Sequence, residues 1–224
     1  MTDSMNGYAS HPEWVRKTLN DLDGVAWTTG IDGNRKRTSW TSVNVDVHDV
    51  NSRENVMVVQ VRWAHGRSNR FTRVRKQYYF CGRNENGNAF AHPVSLTSTN
   101  ARVTAAQAKI WDTTEATVRE QKIVRHGDVA LIPLRHKPDF SALTALGRDE
   151  WDGHFAVADS HVVTPEILFS SQDGSYAVVG GHVEIRHTKS QHPDVSVDLP
   201  RGKYYRVQHG IRAAAWRFTS PTAD

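Results

Sequence analysis

The stretch that decides the fold class is 152-DGHFAVADSHVVTPEILFSSQDGSYAVVGGHVEIRHTKSQH-192. Short apolar runs rich in β-branched residues alternate here with Gly, Asp and Ser, which is typical of strands joined by turns. The pattern predicts strands at 155–158, 167–169, 176–179 and 183–187, with Gly180 and Gly181 as a hairpin turn. The stretch is also rich in histidine, so it is the first place to look for a metal site or acid–base chemistry. Its histidines are His154, His161, His182, His187 and His192.

The strand pattern continues on both sides of this stretch. Residues 123–134 predict a strand closed by Pro133, and further strands are predicted at 195–199, 204–209 and 213–218. A spacing of roughly 8–12 residues between short strands, with turn residues between them, is typical of small β-barrels and sandwiches. Residues 121–224 are therefore predicted to form a mostly β domain, folded as a small barrel or sandwich.

The first half combines helices with strands. Pro12 and Glu13 suit the first turn of a helix that ends before Gly24. Alternating apolar residues then predict strands around 40–47, 56–63 and 71–81, and helix-prone segments follow at 103–111 and 114–121. The pattern predicts a helix-fronted antiparallel meander of three or four strands over residues 11–120. The whole chain is thus predicted to be an α+β protein with a domain boundary near residue 120.

Composition excludes several classes of protein. The chain of 224 residues has a single cysteine, Cys81, which excludes a disulfide framework and a cysteine-based zinc site. We expect Cys81 to be a buried structural thiol. The apolar runs are too short to cross a bilayer, and the N-terminal residues lack the pattern of a signal peptide. We therefore expect a cytoplasmic protein without membrane contact.

A basic and aromatic segment lies in the first half. The net charge of the chain is +4, but no acidic residue occurs between Asn55 and Asn84. Cationic side chains neutralise phosphates and aromatic rings stack on bases, so the segment predicts binding to DNA, RNA or another polyanion. The alternative is an ordinary solvated strand face with its aromatic residues turned into the core. The predicted binding residues are Arg62, Arg67, Arg70, Arg73, Arg75, Lys76, Tyr78 and Arg83.

The histidines of the second half suggest a metal site. We predict His161, His187 and His192 as ligands, since three protein ligands with one open position form the catalytic zinc pattern. Zinc, the candidate cofactor, would lower the pKa of a bound water for hydrolysis. The alternative is that these histidines are solvent-facing residues of loops.

Acid–base chemistry is predicted at neighbouring positions. His161, Asp159 and His126 are the candidate catalytic groups, with Asp159 orienting an imidazole. The alternative for His126 is a simple turn, with Gly127 supplying backbone freedom. Ser160 is expected to stay apart from His161, because adjacent residues of a strand point to opposite faces unless a turn intervenes.

Two segments of the second half resemble a group of uncharacterised bacterial and phage proteins. The segment RHGDVALIP at 125–133 is similar to an (R/Q)-x-G-D-V-x-L-(I/V)-P opening. Residues 187–207, which include DLPRGKYYRV, resemble a His-rich L-P-x-G-x-Y-x-V closing segment. Members of the group carry G-H-x-H between the two, whereas residues 164–167 here contain no histidine. The resemblance implies a β-rich fold and no particular activity.

Two functions remain open from the sequence. The first is a nucleic-acid-binding protein with a His-based, metal-dependent hydrolytic site. The second is a non-catalytic phage or mobile-element module that binds another protein.

Overall fold

A computed structural model of the chain describes residues 10–22, 39–67, 70–84, 86–120, 122–127, 129–139, 144–146, 155–157, 160–171, 176–189 and 193–210. For residues 39–42, 64–67, 70–75 and 144–146 the description is limited to the backbone. The described chain is mostly β, with two antiparallel sheets and an N-terminal helix, which agrees with the predicted combination of helix and strand. It forms two compact units, which divide between Ile110 and Trp111.

The elements of the first unit are α1 (Glu13–Leu22), β1 (Ser39–Asn51), β2 (Val56–Arg67), β3 (Arg70–Arg83), β4 (Ala89–Val94) and α2 (Val103–Ile110). Those of the second unit are α3 (Glu115–Glu120), β5 (Val124–His126), β6 (Val129–Pro133), β7 (Thr144–Leu146), β8 (Phe155–Val157), β9 (His161–Ser170), β10 (Ala177–His187), β11 (Val195–Asp198) and β12 (Tyr205–His209). Within these described elements, no helix combines the length and apolar character needed to cross a bilayer.

The first unit is the predicted meander, a sheet with the strand order β1-β2-β3-β4. Alternation puts every second residue of each strand on one face, and α1 covers that face. Val15, Leu19 and Leu22 of α1 are buried against Met57 and Cys81. Cys81 is buried as expected, and burial raises the pKa of its thiol.

The helix α2 is anchored to the same sheet through its first turn. The strand β1 has a bulge between Val47 and Asp49. The Asp49 carboxylate accepts a hydrogen bond from the Val103 amide at 2.8 Å. A carboxylate at this position satisfies a backbone donor and interacts favourably with the positive end of the helix dipole. Phe80 and Phe90, whose ring centroids lie 5.7 Å apart, are fully buried in the same unit.

The second unit is an eight-stranded sheet in which two strands branch. Its main order is β5-β6-β12-β10-β9-β7, while β11 pairs with β10 and β8 pairs with β9. The core contains Val129, Leu131, Val163, Val183 and Ile185, all fully buried. Among the described strands, β5 and β7 end the main order without pairing to each other, so a closed barrel, one of the two predicted forms, is not observed.

Gly180 and Gly181 do not form the predicted hairpin turn, so that prediction was wrong. They lie inside β10, where the register against β9 shifts between Gly180 and Val183 and makes a β-bulge. Gly181 has a φ of +73°. Turns and bulges both use glycine for positive φ, so a Gly-Gly pair alone does not distinguish them. At the other predicted glycine turn, Gly127 (φ +57°) does separate β5 from β6.

We expect Gly181→Ala to destabilise the protein more than Gly202→Ala. The two glycines have nearly the same φ, +73° at Gly181 and +72° at Gly202. A Cβ on Gly181 would lie 2.8 Å from Glu166 Cβ, whereas one on Gly202 meets nothing within 4 Å. The free energy of unfolding of the Gly202 variant should therefore fall only by the cost of a left-handed backbone at alanine, about 1–2 kcal/mol. The Gly181 variant should lose roughly 1–3 kcal/mol more through overpacking.

Urea unfolding of the two variants and the wild type measures this difference. Equal losses at the two positions would show that the contact with Glu166 does not restrict Gly181.

Candidate functional site

Six of the eight predicted polyanion-binding residues cluster in one part of the first sheet. We call residues 62–67 and 70–76 the basic hairpin. The register pairs Arg62 with Lys76, Trp63 with Arg75, and Arg67 with Arg70. Since β4 pairs only with residues 78–83 of β3, the basic hairpin lies beyond the end of β4. The cationic residues brought together are Arg62, Arg67, Arg70, Arg73, Arg75 and Lys76.

Two cationic side chains of the basic hairpin are described. Arg62 is exposed and its Nη2 lies 2.8 Å from Asp46 Oδ2 on β1. The exposed fractions of the two side chains are 45% and 41%, so water screens this ion pair and it contributes little to stability. Lys76 is also exposed. The side chains of Arg67, Arg70, Arg73 and Arg75 lie outside the described part of the structure.

Tyr78 and Arg83 differ from the exposed residues of the basic hairpin. Tyr78 is 4% exposed, and its ring meets His48 edge to face at 5.3 Å. A base therefore finds no open ring face at this position. Arg83 donates hydrogen bonds to Asp21 of α1 at 2.6 Å and to the Gly87 carbonyl at 2.5 Å. Both residues thus take part in contacts within the first unit.

Three histidines from distant parts of the sequence form a buried cluster in the second unit. We call His126, His161 and His187 the histidine cluster; their exposed fractions are 0%, 2% and 8%. The ring centroids of His126 and His161 lie 5.1 Å apart, and those of His161 and His187 lie 4.8 Å apart. The β9–β10 register pairs His161 directly with His187. The alternative of solvent-facing histidines is therefore wrong for His161 and His187.

Hydrogen bonds fix the orientation of the rings. His126 Nε2 donates to the Pro193 carbonyl at 2.8 Å, since a carbonyl can only accept. His187 Nδ1 accepts the Lys189 amide proton at 3.1 Å. His161 Nδ1 lies 2.9 Å from Ser160 Oγ. Ser160 lies in a turn before β9, so it contacts its neighbour instead of pointing to the opposite face.

The described residues contain no group of three or more His, Cys, Asp or Glu side chains that could hold a metal ion. The rings of the histidine cluster meet edge to face, at interplanar angles of 86° and 80°, as aromatic core residues do. Of the predicted zinc ligands, His161 and His187 lie together and His192 falls outside the described residues. Asp159, the predicted orienting carboxylate, also falls outside them. The zinc site stays a prediction.

An exposed group on β10 and β11 has contacts that the sequence did not predict, although His182 is a reserve candidate for the metal site. His182 Nδ1 lies 2.7 Å from Asp198 Oδ1, and His182 Nε2 lies 3.2 Å from Ser196 Oγ. Glu184 Oε1 is 3.8 Å from His182 Nε2. The hydrogen bond to Asp198 is the largest cause that raises the pKa of His182 above its ordinary value. The only sequence signal is the i, i+2 spacing of polar residues on each strand, which places each pair on one face.

We expect His126→Ala to lower the free energy of unfolding by about 2–4 kcal/mol, because it removes a buried ring and the donor to Pro193. His136→Ala is the matched control, because His136 is exposed. Urea unfolding followed by circular dichroism measures both. Equal stability of the two variants would mean that the histidine cluster does not contribute to the core.

Comparison with known proteins gives no match. The chain matches no protein-family model, no curated protein and no solved structure.

Proposed function

We propose that the protein binds nucleic acid or another polyanion through the basic hairpin. The observation that carries the proposal is the β2–β3 register, which gathers six cationic residues in strand segments without an acidic residue. Phosphate groups repeat along a nucleic-acid backbone, and each cation that neutralises one releases condensed counterions. Such a surface binds the backbone whatever the base sequence.

The local charge supports this proposal better than the total charge does. The whole chain carries a net charge of +4, whereas residues 62–76 alone carry six Lys or Arg residues and no Asp or Glu. Positive charge that is concentrated in one hairpin raises the local concentration of a polyanion more than the same charge spread over the chain. A single buried, free thiol at Cys81 suits a reducing cytoplasm, where nucleic acids are abundant.

Asp46 sets the border of the proposed surface. Its carboxylate pairs with the exposed Arg62 and competes with any phosphate that approaches this side chain. The pair is half exposed and screened by water, so its loss costs the fold little. Binding through phosphate contacts therefore has to displace Asp46 from Arg62 or leave Arg62 unused.

The Asp46–Arg62 pair gives the first test. Asp46→Asn removes the competing carboxylate, so we expect tighter binding and a salt slope that is steeper by about one phosphate contact. Fluorescence anisotropy with labelled single-stranded RNA and duplex DNA, over a series of salt concentrations, measures both quantities. An unchanged or weaker affinity would place Arg62 outside the binding surface.

The second test removes two members of the basic hairpin at once. Arg73→Ala with Arg75→Ala should weaken binding to every sequence and reduce the salt slope by about two. Arg119→Ala with Arg186→Ala is the matched control, because it removes the same charge from exposed positions elsewhere. If both double variants bind equally, the binding is not located at the basic hairpin.

The same titrations separate the two functions considered from the sequence. Wild-type affinity for RNA and DNA that does not fall as salt rises contradicts phosphate binding, because counterion release requires that dependence. That result favours the non-catalytic phage or mobile-element module that binds another protein.

The metal-dependent hydrolytic part of the proposal rests on His161, His187 and His192. Support comes from the contact between the rings of His161 and His187, whose centroids lie 4.8 Å apart. Elemental analysis of the purified protein and of a His187→Ala variant tests it, and stoichiometric zinc in the wild type alone is the expected outcome.

A further inference from the structure

We propose that Ser196, His182 and Asp198 form a serine-type acyl-transfer site on the second unit, with carboxylic esters as its substrates. Asp198 Oδ1 lies 2.7 Å from His182 Nδ1, and His182 Nε2 lies 3.2 Å from Ser196 Oγ. Carboxylate, imidazole and hydroxyl follow one another through the two different ring nitrogens, which is the order that activates a serine nucleophile. The site is separate from the basic hairpin and does not depend on nucleic-acid binding.

The strand register builds this arrangement. β10 and β11 are antiparallel, with His182 opposite Asp198 and Glu184 opposite Ser196. Residues that face one another in an antiparallel pair project from the same side of the sheet, and diagonal neighbours are within reach of long side chains. His182 therefore contacts Asp198 directly across the pair and Ser196 diagonally.

Hydrogen bonds of two backbone amides restrain the part of β10 that carries the imidazole. His182 directly follows Gly181 in the bulge of β10. Its amide donates to Glu166 Oε2 of β9 at 3.1 Å, and the Leu199 amide donates to the Gly181 carbonyl at 3.0 Å. Bulges of this kind redirect a side chain and occur next to active sites. An exposed His–Asp pair on a regular strand lacks the restraints that the bulge and these amide hydrogen bonds provide.

The hydrogen bonds select the reactive tautomer. The carboxylate of Asp198 accepts the Nδ1 proton, which leaves the lone pair of Nε2 for the hydroxyl of Ser196. Ser196 Oγ then bonds to the ester carbonyl carbon while its proton passes to His182 Nε2. The bond from that carbon to the alkoxide oxygen breaks, and His182 Nε2 protonates the departing alkoxide, which leaves as the alcohol.

Water completes the reaction. It attacks the acyl carbon, gives a proton to His182 Nε2, and the bond to Ser196 Oγ breaks as that oxygen takes the proton back. The net change is ester plus water to carboxylic acid plus alcohol, so no oxidant or reductant is required.

The surroundings of the site determine which esters fit. The side chain of His182 is 44% exposed and that of Asp198 is 90% exposed, so the site accepts an acyl group carried by a large or extended molecule. Three carboxylates lie around His182: Asp198 of β11 and Glu184 of β10 face its imidazole, and Glu166 of β9 accepts a hydrogen bond from its backbone amide. Their negative charge favours neutral or cationic esters over anionic ones.

Two of these carboxylates, Asp198 and Glu184, set the pH dependence. The hydrogen bond and charge of Asp198, with the charge of Glu184, raise the pKa of His182. His182 accepts a proton only as the neutral imidazole, so the rate should increase as pH rises through this raised pKa. Asp198→Asn removes the largest cause of the shift, which should move the midpoint of the profile to lower pH and reduce the rate.

The experiment uses the full chain, a fluorophosphonate probe and 4-nitrophenyl acetate. We expect the probe to form an adduct on Ser196, located by peptide mass spectrometry, and ester hydrolysis to fall to the uncatalysed rate in Ser196→Ala. His182→Gln should abolish both. Ser196 is exposed, so circular dichroism should show a wild-type spectrum for Ser196→Ala.

Ser160→Ala is the matched control, because Ser160 also contacts a histidine, at 2.9 Å from His161 Nδ1. It should keep the Ser196 adduct and the hydrolysis rate. Three results would overturn the proposal: no adduct on the wild type, an adduct on Ser196 that persists in His182→Gln, or full hydrolysis by Ser196→Ala. The Arg73→Ala, Arg75→Ala variant should label like the wild type, so failure of nucleic-acid binding and failure of this site can be told apart.

Discussion

The pairing of β9 with β10 is the constraint on which both histidine groups depend. At one end it sets His161 opposite His187, and both rings are buried. In β10 after the bulge, Val183 and Ile185 share the buried alternation with His187, while Glu184 is exposed. Side chains alternate between faces, so a shift of one residue would exchange the two sets. The single pairing therefore decides which histidines enter the core and which meet solvent.

The bulge at Gly180–Val183 divides β10 into two parts with different neighbours. Ala177 to Val179 pair with β12, whereas His182 to Ile185 pair with β11. The part before the bulge is buried on both faces, and the part after it has one exposed face. A regular strand would keep the same alternation throughout, so the bulge is what allows an exposed polar face to begin at His182. The functional potential of this strand thus arises from an irregularity and not from its regular part.

The two units offer surfaces of opposite charge, which implies different ligands for them. The basic hairpin of the first unit combines six cationic residues, while the exposed face around His182 has three carboxylates. Counterion release favours a polyanion on the first surface, and like-charge repulsion disfavours one on the second. The basic hairpin and the exposed face around His182 therefore do not compete for the same ligand.

Local patterns in the sequence predicted local structure well. Apolar periodicity located α1 and the strands of the meander, because a helix or strand that buries one face must repeat at its own period. The same reasoning misjudged Tyr78, which was expected on a binding surface and is 4% exposed. Alternation assigns residues to two faces but does not reveal that a face is covered.

Contacts between distant residues could not be predicted in this way. His126 and His187 both meet His161, yet they are separated by more of the chain than any periodic pattern spans. The contact of His182 with Asp198 depends on a strand register that hydrogen bonds and core packing determine together. Ser160 and His161 meet because Ser160 lies in a turn, which is the condition under which these sequence neighbours can contact each other.

The exposure of the Ser196 group bears on what its chemistry can achieve. Water screens the charge of Asp198, so the carboxylate acts mainly by holding the Nδ1 proton and the ring orientation, and less by its field. Orientation requires a rigid frame, and two hydrogen bonds supply one at the backbone that carries the imidazole: the His182 amide donates to Glu166 Oε2, and the Gly181 carbonyl accepts from the Leu199 amide. Ser196 is therefore well oriented, but the electric field of Asp198 activates it only weakly. Such a nucleophile suits esters, because the alcohol of an ester leaves more readily than the amine of an amide does. For this reason esters, and not amides, are the substrates that the geometry supports.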